Sequence, residues 1–215
     1  MAGRGWWVAA LLLVACAPAT EGPGPASSAD EAAAASPVSE EPLPAPAAGA
    51  APDPAPEETP MPAMLPTPYT AKQIQDAMPA GTQVVTRHEG PDGVTVATWS
   101  VLSNGDEGLV METSSRSEDG AVLEAPTTSG PAPWEALRTH AQFPVDGTTR
   151  TREEVTVPFG TFPATKYVVR SAEGAGARTF WFADAIPGPP VRMIVEVDGA
   201  QAFEATMIER TGFGE

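Results

Sequence analysis

The sequence predicts a mainly β protein of the α+β class. The expected architecture is a curled antiparallel meander or half-barrel of about 8–10 strands with two short helices, preceded by a disordered tether. Three observations carry that expectation. Short β-branched and aromatic runs recur between residues 82 and 209, separated by connectors rich in Gly, Asp and Asn. Two brief stretches read instead as helices. The residues from Ala17 to Pro68 show no apolar periodicity of either kind.

The chain opens MAGRGWWVAALLLVACAPAT. Arg4 and the amino terminus make a short positive region, and Trp6 to Val14 is uninterrupted apolar sequence. Nine residues of helix rise about 14 Å, well short of the roughly 30 Å hydrocarbon core. The stretch fits a secretory leader better than a spanning helix. It ends at Cys16, the single cysteine among 215 residues. The run Leu13-Val14-Ala15-Cys16 resembles the lipobox of bacterial lipoproteins. The resemblance implies removal of residues 1–15 and lipidation of Cys16 by diacylglyceryl and acyl (palmitate-like) chains. It also implies an envelope location, at the outer membrane because Ala17, and not an aspartate, follows the cysteine. A thiolate is the side-chain nucleophile suited to such alkylation. A simple signal peptide with a chance cysteine is the competing reading.

Residues 16–68 form the expected tether. From Ala17 to Pro68 there are 14 prolines, 15 alanines, eight acids and no base. Proline blocks helices and sheet ladders, and large apolar groups are too few to offset ordering entropy. A coil of this length averages roughly 40 Å end to end.

The globular domain is expected over 69–215. In TAKQIQDAM, Thr70 and Gln73 stand as a capping box, and Ala71, Ile74 and Met78 share a face. Pro79 and Gly81 end that helix. Strand-like runs follow: TQVVTRHE, GVTVATWSVLS, EGLVMETSS, TTRTREEVTV, ATKYVVRS, ARTFWFA, PVRMIVEV and QAFEATMIE. Asn104-Gly105 is the strongest hairpin dipeptide among the connectors. PWEALRTHA interrupts the series as a second helix, with Trp134, Leu137 and Ala141 on one face. In ARTFWFA, Phe180 and Phe182 face one way and Trp181 the other, so both faces of that strand are apolar.

VTVPFGTFPATKYVVRS and RTFWFADAIPGPPVRMIVEV resemble the C-terminal strands of a widespread group of uncharacterised bacterial envelope proteins. The resemblance rests on a P-x-G-x-F turn (Pro158, Gly160, Phe162) and on Trp181 and Phe182 followed by Pro187, Gly188, Pro190 and Val191. The element order is similar to the half-barrels of the Lol-pathway lipoprotein carrier and receptor. That likeness implies a non-catalytic module for an apolar ligand or an envelope component, with Trp99, Trp134, Phe180, Trp181 and Phe182 as candidate ligand-binding residues. The alternative is a structural or assembly lipoprotein that binds another envelope protein and carries no small molecule.

No catalytic set can be assembled. There is no H-E-x-x-H, C-x-x-C or G-x-S-x-G, and His88 and His140 are the only histidines. Glu153 and Glu154 are adjacent on a strand and therefore point to opposite faces, which is no acid–base dyad. SNGDEG and SEDGA gather carboxylates near glycine without the alternating ligand spacing of a calcium loop. The expectation is a non-enzyme without metal or cofactor. Formal charge is −16, of which −8 falls on the tether and −9 on the domain. With no basic run, that balance argues against nucleic acid and against anionic lipid surfaces. Oligomeric state is left open.

Overall fold

The computed structural model describes residues 62–212 except 172, 173 and 175. The leader, Cys16 and the tether as far as residue 61 lie outside the described residues. No helix among the described residues is long and apolar enough to cross a membrane.

Nine strands build one antiparallel sheet: β1 (Gln83–Gly90), β2 (Gly93–Gly105), β3 (Gly108–Ser117), β4 (Val122–Ala132), β5 (Thr148–Val157), β6 (Gly160–Arg170), β7 (Gly176–Ala183), β8 (Arg192–Val197) and β9 (Ala200–Thr211). Their order across the sheet is β4-β3-β2-β1-β9-β8-β7-β6-β5. This is two meanders and not one. β1 to β4 step outward from the centre, β5 to β9 step inward from the far edge, and the β1–β9 pairing joins them. The chain leaves one edge at β4 and re-enters at the other through α2 (Trp134–Thr139) and residues 140–147. The sheet is open, with β4 and β5 as its edges.

α1 (Ala71–Asp76) has the capping box expected of it: Thr70 accepts from Gln73 N, and the Gln73 side chain accepts from Thr70 N. α2 begins at Trp134 behind Pro133, whose fixed φ suits a helix start and which makes no side-chain cap. Its Trp134 is buried, and Leu137 and Ala141 pack on the core.

Two elements differ from expectation. β4 has the sequence VLEAPTTSGPA, whose Pro126, Gly130 and Pro131 read as loop. It forms because an edge strand needs backbone pairing on one side only, so its prolines cost no second ladder. The second difference is the β2–β3 turn. Gly105 pairs with Gly108, which puts Asp106 and Glu107 in the turn and leaves Asn104 and Gly105 within the strand. Asn104 is used elsewhere: its Nδ2 donates to Gln75 O and Met78 O, both at 2.8 Å, closing the C-terminal end of α1. Gly108 is needed there because a Cβ would stand 2.1 Å from Ala132 O. The left-handed two-residue turn falls instead at Asp198-Gly199, with φ of 52° and 77° between Val197 and Ala200.

Directly opposed residues of an antiparallel ladder share a face. Tyr167, Phe180, Met193 and Ala205 are opposed in series and define one face; Lys166, Trp181, Arg192 and Thr206 define the other. The residues preceding and following the helices cover the first face. Phe143 stacks on Phe180 at 5.0 Å between ring centroids and tilts against Tyr167 at the same distance. Tyr69 meets Phe182 edge-on at 6.1 Å.

Ordered contacts reach upstream of Tyr69. Leu65 N donates to Phe143 O and Val145 N to Ala63 O, each at 2.8 Å, and Met64 bridges Pro144. Tyr167 donates its hydroxyl to Pro66 O at 2.8 Å. A strap over 63–66 thus belongs to the domain. Leu65 packs on the core, and proline does not prevent such a strap because its carbonyls still accept.

Candidate functional site

The five aromatic residues singled out from the sequence are core residues. Trp99, Trp134, Trp181 and Phe182 expose only 9%, 8%, 7% and 3% of their surface. Phe180 is half-buried and packs against the same cluster. Trp99 lies in β2 opposite Val84 and Thr113. Trp134 donates its indole N–H to Gly105 O at 2.9 Å, which ties α2 to the end of β2. Phe180 and Phe182 complete an aromatic group with Tyr69, Phe143 and Tyr167. Tyr69 donates to Ala183 O at 2.6 Å, and burial, with Asp184 adding to it, pushes its hydroxyl well above the ordinary tyrosine range.

Two open depressions of about 250 and 400 Å³ occur, neither bordered by any of the five residues. The smaller joins two hairpin ends at Pro91 and Phe203. Arg170, Arg178 and Glu196 flank the larger.

On the opposite face, Trp181 sits among charges. Its indole N–H donates to Glu153 Oε1 at 2.7 Å. Lys166 Nζ lies 5.1 Å and Arg192 Cζ 5.4 Å from the ring, inside cation–π range. Lys166 pairs with Glu153 at 3.3 Å and Arg192 with Glu204 at 2.9 Å. The bond from Trp181, helped by Lys166, holds the Glu153 carboxyl below its usual range. Burial works against the Glu204 carboxylate, but hydrogen bonds from Thr206 and Arg192 outweigh it and its pKa is lowered. Every charge here has a partner, and the long stems cover the indole. The cluster is a satisfied network that closes one face of the sheet, and no reacting group points out of it.

Arg210 is a buried cation on carbonyls, donating to Pro187 O at 3.3 Å and to Ala77 O at the end of α1. Burial pulls its guanidinium down to about 10, so it stays charged at neutral pH. Through it the Pro187–Val191 segment is fastened to α1, and Val191 N continues the fastening to Trp181 O. The P-x-G-x-F residues form the β5–β6 turn, where a Cβ on Gly160 would meet the Phe162 ring at 2.8 Å.

His88 lies 5.6 Å from the Phe203 ring, where burial lowers its pKa. His140 caps α2 through its backbone and is exposed. Asp119 accepts from Ser117 and from Ala121 N, as a turn residue does. Among the described residues no three His, Cys, Asp or Glu side chains gather as a metal site. Glu153 and Glu154 do point to opposite faces. The feature that sequence reasoning passed over is the long exposed edge of β5. TTRTREEVTV was legible as a strand, but nothing in it says that it ends the sheet.

No protein-family model matches the chain, and no curated protein matches it either. Among solved structures, the fold is similar to an exported-protein candidate of Bacteroides fragilis with a YmcC-like fold. That pair is 13% identical with a TM-score of 0.42, over 63% of this chain and 98% of the other. A lipoprotein candidate of Parabacteroides distasonis is similar too, 13% identical with a TM-score of 0.41 and the same two coverages.

Proposed function

We propose that this chain is an outer-membrane lipoprotein held by lipidated Cys16, whose β-rich domain is a non-catalytic assembly module that binds protein. The leader and its LVAC sequence support the anchor. The observation that favours protein over an apolar small molecule is the fate of the five aromatic residues. Trp99, Trp134, Phe180 and Phe182 pack into the core with Tyr69, Tyr167 and Val191, and Trp181 is covered on the opposite face by Lys166, Arg192 and Glu153, whereas a ligand pocket would leave such residues lining a cavity of several hundred Å³. What the domain offers outward is an anionic surface and an open sheet.

In-cell crosslinking of the full-length lipoprotein, followed by native mass spectrometry of the purified species, tests this. A defined protein adduct with no bound small molecule is the expected result. A stoichiometric apolar adduct and no protein partner would replace the proposal with ligand carriage.

A further inference from the structure

The two edges of the sheet are built differently. β4 carries Pro126 and Pro131 and pairs with β3 through three register breaks. Prolines and bulges are devices by which edge strands refuse a neighbour. β5 has neither. It contains no proline or glycine, and all ten of its residues pair with β6 without a break. Six in succession, residues 149–154, are exposed.

The ladder determines which backbone groups are free. Arg170 N donates to Gly147 O, and Asp184 N to Pro163 O, so even positions of β6 face β5 and odd ones face β7. Opposed pairs in an antiparallel ladder alternate between bonded and non-bonded. The β5 residues opposite even β6 positions are the odd ones. Arg150, Arg152, Glu154 and Thr156 therefore aim their N–H and C=O groups away from the sheet.

The side chains on this edge complement their own copy. Arg150, Arg152 and Glu154 share one face and are exposed. A second β5 laid antiparallel about a two-fold axis at Glu153 sets each Arg152 opposite the other copy's Glu154, twice over. Among the described residues Glu154 has no ion-pair partner. The Arg152–Asp184 pair is largely exposed and therefore weak. Glu153 would meet Glu153 across the axis, each already compensated by its own Lys166. Residues 148–157 hold two arginines and two glutamates, a neutral stretch on a domain of net −9. We propose that β5 is a homodimerisation edge, where two copies pair β5 to β5 and continue their sheets into one. This takes from the proposed function only that the occupant is a protein.

The test uses the full-length chain in its membrane, with single Glu153→Cys or Glu124→Cys substitutions and mild oxidation. Opposed Cβ atoms lie about 4.5–5.5 Å apart, close enough to disulfide range for the residue on the axis. A linked dimer from Glu153→Cys, and none from Glu124→Cys or the unsubstituted chain, is expected. No dimer from Glu153→Cys, or an equal one from Glu124→Cys, overturns the proposal. Adding Arg152→Glu to Glu153→Cys should lower the linked fraction about tenfold, through two inverted cross-strand charge pairs, and further adding Glu154→Arg should restore it. Failure of that rescue also overturns it. A link from Glu153→Cys to a different protein would overturn the dimer and leave the proposed function standing.

Discussion

Trp181 shows how much one side chain's surroundings decide its use. A tryptophan alternating out of an aromatic strand reads as ligand-binding, yet here a lysine, an arginine and a carboxylate occupy the positions a ligand would take. Trp134 carries a clearer energetic expectation. It is buried and hydrogen-bonded to Gly105 O, so Trp134→Ala should cost about 3–5 kcal/mol in denaturant unfolding. Titratable residues give a second expectation. Glu153 and Glu204 have lowered pKa values, so their contribution is present above the unfolded carboxylate pKa and is lost as pH falls through the folded one. His88 has the same sign by a different route: burial favours its neutral form, so below its unfolded pKa the unfolded state binds the extra proton more readily. Stability should therefore fall on acidification from neutrality. His88→Leu should flatten the upper part of that fall, between about pH 7 and 5, as followed by melting temperature against pH. A slope unchanged by the substitution would remove His88 from the account.

At the scale of the element, the closure of α1 is the instructive case. A helix of six residues has little stability of its own, and its last carbonyls are met by Asn104 from β2 and Arg210 from β9. Asn104→Ala removes the side-chain donor from Met78 O and from Gln75 O, the latter keeping the Met78 N–H, and should cost about 1–3 kcal/mol, read as a shifted denaturant midpoint with an unchanged slope. Asp at the same position keeps the size but loses the donor, and should be no better. Asn104 also marks where sequence reasoning stops. Helices and alternating strands were legible because Thr70, Gln73, Trp134 and the β8 and β9 runs obey local rules. The Asn-Gly dipeptide obeys a local rule as well, but a tertiary contact claims the asparagine and the turn moves two residues on. β4 was not legible because its prolines are tolerated only at an edge, and an edge is a property of the sheet. The strand order was hidden for the same reason: nothing local distinguishes a hairpin from the crossover that carries α2. The aromatic candidates were found in sequence, but whether they line a cavity or fill it depends on Phe143 and Tyr69, which come from other elements.

At the scale of the molecule, two predictions concern how the domain is held and what it meets. On the proposed anchor, Cys16→Ser should move the protein from the membrane to the soluble periplasmic fraction, because the three acyl chains proposed there, at about 0.8 kcal/mol per buried CH₂, would be lost together. Retention with membranes would refute the anchor. Glu154→Pro deletes an outward N–H without taking a bond from β6, so it should abolish the β5-linked dimer and leave the melting temperature almost unchanged. A large fall in stability with that variant would show β5 to be less free than its register implies. The strap over 63–66 lies where a mechanical load from the N-terminal side would arrive. Among the described residues, tension arriving from the N-terminal side falls first on the Val145–Ala63 and Leu65–Phe143 hydrogen bonds. The Tyr167–Pro66 and Tyr69–Ala183 bonds come next. Not one of these is a rung of the nine-stranded sheet. A pull on the tether would peel the strap before it strained a strand, so the strap would yield as a fuse does and the sheet, with its β5 edge, would stay whole.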